Sequence, residues 1–220
     1  MKGSVAEDKI DAPVKATKSK STPASKFTLN VSVGPDLSSV SFSQPGKVQF
    51  QYGIGMSYQF SKKLSIRTGF FAGKKVYTAD STTYKTPYPI HNLEEVDATC
   101  YVYEIPVSVL YHFGARKNHE WFVAGGLSSY IMKKETYGYH YKNAWGTPQY
   151  YNRTYNNENK HFFSVINLSL GYTHKFNDRL SFTGEPYVKI PAAGVGVGKV
   201  KLNSAGVLFT VGYKPFTRSK

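Results

Sequence analysis

The 220-residue sequence contains a single cysteine, Cys100. One thiol excludes an intramolecular disulfide framework and a multi-cysteine metal site. The six histidines show no metal-ligand spacing, and no serine elbow or Cys–His pair is visible. The sequence therefore predicts no metal, no cofactor and no catalytic residue.

Long hydrophobic runs are also missing. No stretch of about 20 apolar residues is present, which excludes a transmembrane helix. The start MKGSVAEDKIDAPVK lacks the apolar centre of a signal peptide, so an exported form is expected to be processed or truncated. The mean hydropathy is negative, but this average does not detect a barrel strand, whose two faces cancel.

Acidic residues are few: 14 against 28 Lys and Arg, giving a formal charge of +14. Such an excess raises nucleic acid or an anionic surface as a partner. The basic residues are spread over the N-terminal tail, short turns, one long loop and the C-terminus rather than gathered on one helix or stripe. We therefore expect no nucleic-acid binding.

The chain divides into two regions. Residues 1–26 are rich in small residues, Pro, Ser and Lys, with almost nothing to bury, and are predicted to be a disordered, flexible periplasmic linker. Residues 27–216 consist of strand patterns and loops and are predicted to form one barrel domain.

The clearest strand pattern is VQFQYGIGMSYQF at 48–60, where large residues alternate with Gln, Gly and Ser. A period of two indicates a strand with two unlike faces. Eight segments have this character: roughly 27–33, 48–60, 64–77, 100–113, 121–132, 162–175, 180–190 and 200–213.

The connections between these segments alternate between short turns and long loops. This arrangement is typical of an up-and-down barrel in an outer membrane. The predicted fold is all-β: an eight-stranded antiparallel up-and-down transmembrane β-barrel with a disordered N-terminal linker, both termini on the periplasmic side. Pro106 and Pro186 lie within strands, so we expect bulges there.

The bulky rows are predicted to face lipid, because they would overfill an eight-stranded interior. Aromatic residues at strand ends support this orientation with two belts, as expected at the membrane interfaces. The short-turn belt contains Phe60, Phe113, Trp121, Phe176 and Tyr213, and the long-loop belt contains Phe50, Tyr101 and Phe162.

Four charged residues lie on the inward rows: Arg67, Glu104, Glu185 and Lys189. Unpaired buried charge is costly, so we expect them to form pairs, with His112, Tyr130 and Tyr187 as hydrogen-bonding neighbours. Such a network predicts an interior that is plugged rather than an open pore.

The long loop at 137–160 is unusually rich in Tyr, Trp, Asn and Gly. One interpretation is a binding site for a glycan, a lipopolysaccharide sugar or a protein. The other is a pair of strand ends that hydrogen-bond above the membrane, with Tyr stacking across them. The candidate binding residues are Tyr139, Tyr141, Trp145, Tyr150, Tyr151 and Tyr155.

The segment GVGVGK at 194–199 faintly resembles a phosphate-binding loop. That motif requires a following helix, whereas the residues after Lys199 have a strand pattern. A flexible loop is therefore predicted.

Three stretches carry a resemblance to a known group: YEIPVSVLYHF at 103–113, the segment 168–190, and AGVLFTVGYKPF at 205–216. They resemble the small outer-membrane β-barrel proteins of Bacteroidota, the PorT-like or OmpA-like eight-stranded barrels. The resemblance implies insertion by the barrel-assembly machinery, which reads a terminal aromatic residue. Here Phe216 is followed by TRSK, a small departure.

The group is functionally mixed, so three functions stay open. The first is a non-enzymatic envelope anchor or surface-binding module. The second is the C-terminal outer-membrane barrel of a dual-membrane-spanning regulator of the anti-sigma type, coupling envelope state to transcription. The third is a lipid A-modifying enzyme, for which His161 and Ser164 near a loop rim are the only support. We expect no enzyme; the expected partners are outer-membrane lipid, lipopolysaccharide and an envelope protein.

Overall fold

The computed structural model describes residues 26–41, 44–85 and 90–215. The linker predicted for 1–26 falls almost entirely outside these residues, as does Phe216. Every regular element in the described ranges is a strand. They are β1 Phe27–Ser41, β2 Gln44–Pro45, β3 Gln49–Gln59, β4 Leu64–Asp80, β5 Leu93–Phe113, β6 His119–Lys142, β7 Pro148–Asn156, β8 Lys160–Lys175, β9 Leu180–Pro191 and β10 Asn203–Tyr213. Within the same ranges, no helix is long and apolar enough to cross a membrane.

Eight of these strands close into a ring. The order is β1, β3, β4, β5, β6, β8, β9, β10, and β10 pairs back with β1. Every neighbouring pair in the ring is antiparallel. The predicted eight-stranded up-and-down barrel is confirmed. The other two strands lie outside the ring: β2 pairs with β1 and β7 pairs with β6.

The bulky rows face outward, as predicted. On β3, Phe50, Tyr52 and Ile54 are each more than 60% exposed, whereas Gln51 between them is 4% exposed. A narrow interior accepts small and polar side chains, and a closed ring leaves no unpaired edge. Together with an apolar outer surface, these features allow strands to cross hydrocarbon.

The apolar outer surface has the height of a bilayer. On β5 the outward row runs over twelve residue steps from Tyr101 to Phe113, a length of about 40 Å along the strand. A strand tilt of about 35–45° reduces this to about 28–32 Å along the membrane normal, which matches the hydrocarbon core and its interfaces.

Strands β4, β5 and β6 extend beyond the long-loop belt, further than the sequence pattern predicted. They reach Asp80, Leu93 and Lys142, whereas the alternation indicated limits at 77, 100 and 132. Above the belt neither face meets lipid, so the contrast between the two faces that produces the alternation is lost.

The bulges expected at the two strand prolines are absent, so that prediction is wrong. Pro106 is opposite Ser128 and Pro186 is opposite Val207 in unbroken register. On the other side of each proline, the pairing of β5 with β4 and of β9 with β8 is interrupted for two residues on both strands. Neither strand carries an extra residue there, so the register is unchanged. Proline removes only one donor, and this loss does not require an inserted residue. Near Pro106, the Thr68 hydroxyl donates to the proline carbonyl at 2.9 Å.

Candidate functional site in the barrel interior and outer cap

The four inward charges form two ion pairs. The Arg67 guanidinium, from β4, donates to both carboxylate oxygens of Glu185, from β9, at 2.7 and 2.5 Å. Ser169 donates to the same carboxylate at 2.6 Å. A bidentate arginine–carboxylate contact fixes the position and the orientation of both side chains. This pair therefore links β4 to β9 across the interior.

The second pair joins Lys189 of β9 to Glu104 of β5. The Lys189 ammonium lies 2.5 Å from Glu104 Oε2 and also donates to the Gln51 side-chain oxygen at 3.1 Å. The other Glu104 oxygen accepts from Ser128 at 2.6 Å. Both charged side chains are buried, and each has several polar partners, which a buried ion pair needs for stability.

Sequence reasoning missed a third pair. Lys75 of β4 donates to Asp36 of β1 at 2.9 Å and to Ser38 and Ser204 at 3.1 and 2.9 Å. Tyr187 donates to the other Asp36 oxygen at 2.7 Å. Both charged residues lie on inward rows, two positions beyond a glycine, but the predicted first strand ended before Asp36.

These six charged side chains, three cationic and three anionic, balance one another. Each pair links strands that are not neighbours in the ring: β4 with β9, β5 with β9, and β1 with β4. A cavity of about 60 Å³ lies beside Arg67, Glu104 and Lys189. That volume has room for about four water molecules.

The three predicted neighbours of this network take different positions. Tyr187 joins it, accepting from Gln51 at 2.8 Å. Tyr130 contributes its ring, 5.5 Å from the Lys75 ammonium. His112 lies towards the short-turn rim, where its ring contacts Ser65 at 2.7 Å and Glu120 at 3.1 Å.

An apolar core closes the long-loop end of the barrel, and we call it the outer cap. It is built from inward residues of the extended strands and from the segment 192–202, which folds across the opening. Its buried members are Tyr77, Ala79, Tyr84, Val96, Ala98, Cys100, Val102, Tyr130, Met132, Tyr137, Tyr139, Tyr155, Val165, Val195, Val200 and Leu202.

The segment GVGVGK, predicted to be a flexible loop, is an ordered turn of the outer cap. Val195 and Val200 exchange backbone hydrogen bonds of 2.9 and 3.1 Å, and both are fully buried. Gly196 adopts a φ of +70°, which suits glycine. The glycines that resembled a phosphate loop therefore make a tight turn between two buried valines.

A buried carboxylate joins three parts of the outer cap. Glu135 of β6 accepts hydrogen bonds from the Tyr137 hydroxyl at 2.5 Å, the Asn159 amide at 2.6 Å and the Val197 backbone N–H at 3.1 Å. Burial raises the pKa of Tyr137, so its hydroxyl remains a donor. Glu135 thereby fixes the 192–202 segment to β6 and to the β7–β8 turn.

His161 provides a second attachment for the same segment. Its Nε2 accepts from the Gly196 backbone N–H at 2.9 Å. Burial lowers the pKa of His161, opposed by the nearby Glu135, so the ring stays neutral and able to accept. Ser164 is buried and directs its hydroxyl to the His161 carbonyl at 3.3 Å, so these two residues do not form a nucleophile–base pair.

The six candidate aromatic residues of the long loop separate into two groups. Tyr139 and Tyr155 are buried in the outer cap, where Tyr139 bonds Tyr84 at 2.9 Å, so they do not belong to a surface site. Strands β6 and β7 pair from Lys134 to Lys142, as the strand-end interpretation predicted. The remaining four residues lie on this hairpin, with Tyr141 half-buried and three rings exposed: Trp145 87%, Tyr150 57% and Tyr151 52%.

The hairpin turn is well ordered. The Asn143 side-chain oxygen accepts from the backbone N–H groups of Trp145 and Thr147 at 3.0 and 2.9 Å. Gly146 supplies the positive φ of +78° that the turn requires. Trp145 is consequently presented at the tip of a hydrogen-bonded ribbon.

The eight belt residues are all on the outer surface and 40–70% exposed: Phe60, Phe113, Trp121, Phe176, Tyr213, Phe50, Tyr101 and Phe162. In the part of the chain that the structure describes, no group of three or more His, Cys, Asp or Glu side chains is placed to hold a metal ion.

The closed ring, the apolar outer band and the polar interior define a small transmembrane β-barrel of the outer-membrane type. Among solved structures, Neisserial surface protein A (NspA) is similar over 88% of this chain and 99% of its own, with a TM-score of 0.51 and 14% identity. Ail, the attachment invasion locus protein of Yersinia pestis, is similar over 87% and 100%, with a TM-score of 0.45 and 7% identity. No protein-family model and no curated protein matches the chain. At 14% identity, the similarity to NspA shows the fold alone.

Proposed function

We propose that this chain is a non-enzymatic barrel of a bacterial outer membrane that serves as an envelope anchor and a surface-binding module. The observation that carries this proposal is an ordered hairpin with exposed aromatic rings, held above a filled barrel. In this proposal the barrel supports the recognition surface and does not conduct solutes.

The interior supports closure to solutes. Three ion pairs cross it, and the cavity beside them holds only a few waters. The outer cap covers the long-loop end with buried apolar side chains. Passage of a hydrated ion would require separation of buried pairs and displacement of packed rings, and each of these steps is costly.

The exposed rings support recognition of a glycan. Trp145, Tyr150 and Tyr151 present large flat surfaces with a polar atom, a combination that suits stacking and hydrogen bonding at a binding surface. Little ordering of the hairpin is needed on binding, because its turn and its β6–β7 ladder are already hydrogen-bonded.

The connections between strands support a proposed orientation. Phe27, which begins β1, pairs with Tyr58, next to the short β3–β4 turn. We propose that this rim faces the periplasm, which gives residues 1–26 the position of a periplasmic linker and leaves room for the regulatory alternative. Membership in the PorT-like group of Bacteroidota, and insertion by the barrel-assembly machinery, remain part of the proposal.

Two measurements test the proposal. In planar bilayers the protein is expected to give no stepwise conductance; regular open-channel steps would contradict closure. In lipid nanodiscs on an array of bacterial surface glycans, the wild type is expected to bind, and Trp145→Ala with Tyr150→Ala to abolish binding. Phe176→Ala removes a similarly exposed ring from the opposite rim and should have no effect. Equal loss in both variants would contradict the hairpin site.

A further inference from the structure

Two irregularities in the barrel lie near the outer rim, on both sides of β6. In a regular strand consecutive side chains point to opposite faces. Between β5 and β6 the register shifts: Tyr101 is opposite Lys134, but Val102 is opposite Met132. Lys133 is the extra residue. As a result, the neighbours Lys133 and Lys134 are both exposed.

The second irregularity, between β6 and β8, also directs two consecutive side chains to the outer face, in this case two aromatic residues. Ser128 is opposite Val165, and Tyr130 is opposite His161, so β8 carries two additional residues there. Phe162 and Phe163 are consequently both on the outside, 70% and 56% exposed. Phe163 has a φ of +47°, which is strained for a bulky residue. The backbone departs from its preferred geometry to direct a second ring outward.

Two further lysines lie beside these residues. Lys160 is opposite Ile131, two positions from Lys133, and the Asn157 N–H donates to the Lys133 carbonyl at 3.1 Å. On the other side, Tyr101 is paired with both Lys134 and Lys74. We call this surface the lysine–phenylalanine patch; it comprises Lys74, Tyr101, Lys133, Lys134, Lys160, Phe162 and Phe163.

The patch is strongly cationic. Among the described residues, none of its four lysines forms an ion pair; the Lys74 ammonium instead lies 5.9 Å from the Tyr101 ring centroid. The carboxylates nearby are few. Glu158 is exposed in the β7–β8 turn, Glu135 is buried in the outer cap, and Asp97 contacts His140 at 3.2 Å. Four ammonium groups therefore face two exposed carboxylates, of which Asp97 already contacts His140.

Along the strand direction, the apolar and charged residues of the patch are arranged in the same order as the acyl chains and headgroup of an amphiphile. Phe162 lies two residues nearer the membrane centre than Lys160, a step of about 7 Å along the strand. The phenylalanines are thus at the level of acyl chains, and the lysines at the level of headgroups.

We propose that the lysine–phenylalanine patch binds a phosphorylated, acylated glycolipid of the outer leaflet. The lysines contact its phosphates, and Phe162 and Phe163 contact its acyl chains. The inference rests on the proposed placement of this rim in the outer leaflet. Ammonium–phosphate hydrogen bonds are strong, and several lysines at a membrane surface act together.

The test is native mass spectrometry of the detergent-solubilised protein with bisphosphorylated lipid A. Lys133→Gln/Lys134→Gln/Lys160→Gln is expected to weaken lipid retention about a hundredfold, on the scale of a fivefold effect per lysine. The matched control is Lys62→Gln/Lys63→Gln/Lys117→Gln, which removes three exposed lysines from the opposite rim. It should stay within about twofold of wild type. Phe163→Ala should also weaken retention, while dephosphorylated lipid A should bind poorly to every form.

Three results would overturn the inference: equal losses in the patch and control variants, equal retention of dephosphorylated lipid A, or displacement by millimolar inorganic phosphate, which would indicate a free-anion site. The gel mobility of unheated and heated samples verifies that each variant is folded. The lysine variants leave the exposed rings of the β6–β7 hairpin unchanged. A failure of the glycolipid inference would therefore not affect glycan binding or bilayer conductance, which test the proposed function.

Discussion

Replacing Lys189 by methionine removes the cation of a buried pair while keeping a chain of similar length. Within the part of the chain that the structure describes, Glu104, 6% exposed, would then retain only the Ser128 hydroxyl as a hydrogen-bond donor. Breaking a buried ion pair from one side costs about 3–5 kcal/mol. The lost hydrogen bond to Gln51 adds about 1 kcal/mol. Together these losses amount to about 4–6 kcal/mol, so the unfolding equilibrium constant should rise by about 10³- to 10⁴-fold.

The paired variant Lys189→Met/Glu104→Gln distinguishes a charge effect from a packing effect. With both charges gone, no buried ion remains unpaired, and the double variant should be more stable than the sum of the single effects predicts, by about 2 kcal/mol or more. Urea unfolding in lipid vesicles, followed by the fluorescence of Trp121 and Trp145, measures both values. Lys62→Met is the exposed control.

Two outcomes would refute this reasoning. The first is a Lys189→Met variant within about 0.5 kcal/mol of the Lys62→Met control, the range usual for surface substitutions. The second is strict additivity of the two single variants, since residues that interact across the interior must show a coupling energy.

Two further predictions concern the outer cap and the barrel wall. Because burial lowers the pKa of His161 from its ordinary 6.5, its contribution to stability is complete above that value and declines as the pH falls below it. The Gly196 amide should then lose protection, measured as its hydrogen-exchange rate relative to the intrinsic rate at each pH. His161→Gln, whose side-chain oxygen still accepts, should show a flat pH profile, and a retained pH dependence would contradict the assignment. A Cβ on Gly126 would lie 2.2 Å from the Val107 carbonyl oxygen, whereas one on Gly184 meets nothing within 4 Å. Gly126→Ala should therefore lower the free energy of unfolding by about 1–3 kcal/mol and Gly184→Ala by less than about 0.5, in the same urea assay; equal midpoints would contradict the contact.

The membrane-spanning part of the fold was predictable because its two environments differ sharply. Lipid outside and a narrow interior place large and small residues in strict alternation, as at 48–60. The same alternation placed Arg67, Glu104, Glu185 and Lys189 inside, and the structure brings them together in two pairs.

Above the membrane this contrast disappears, and the predictions fail for that reason. The inward row of β6 carries large rings such as Tyr137 and Tyr139, while its outward row carries lysines, so the pattern appeared to be a loop. The early strand limits also concealed Asp36, whose partner Lys75 is 39 residues away. A contact between residues so far apart in sequence leaves no local signal.

The register shifts were not predictable from proline. The two shifts in the lysine–phenylalanine patch lie at Lys133 and near Phe163, where no proline is present, whereas Pro106 and Pro186 are in regular register. A shift that directs two like residues to one face is visible only in the pairing of neighbouring strands.

The three interior ion pairs also constrain how the barrel enters its membrane. Arg67 meets Glu185, Glu104 meets Lys189, and Asp36 meets Lys75, each between strands that are not neighbours in the ring. A single hairpin crossing the bilayer alone would expose bare ions to acyl chains. The sheet must therefore close far enough to form these ion pairs before or during its entry into the bilayer. Insertion is then a concerted event of the whole ring rather than a succession of separate hairpins.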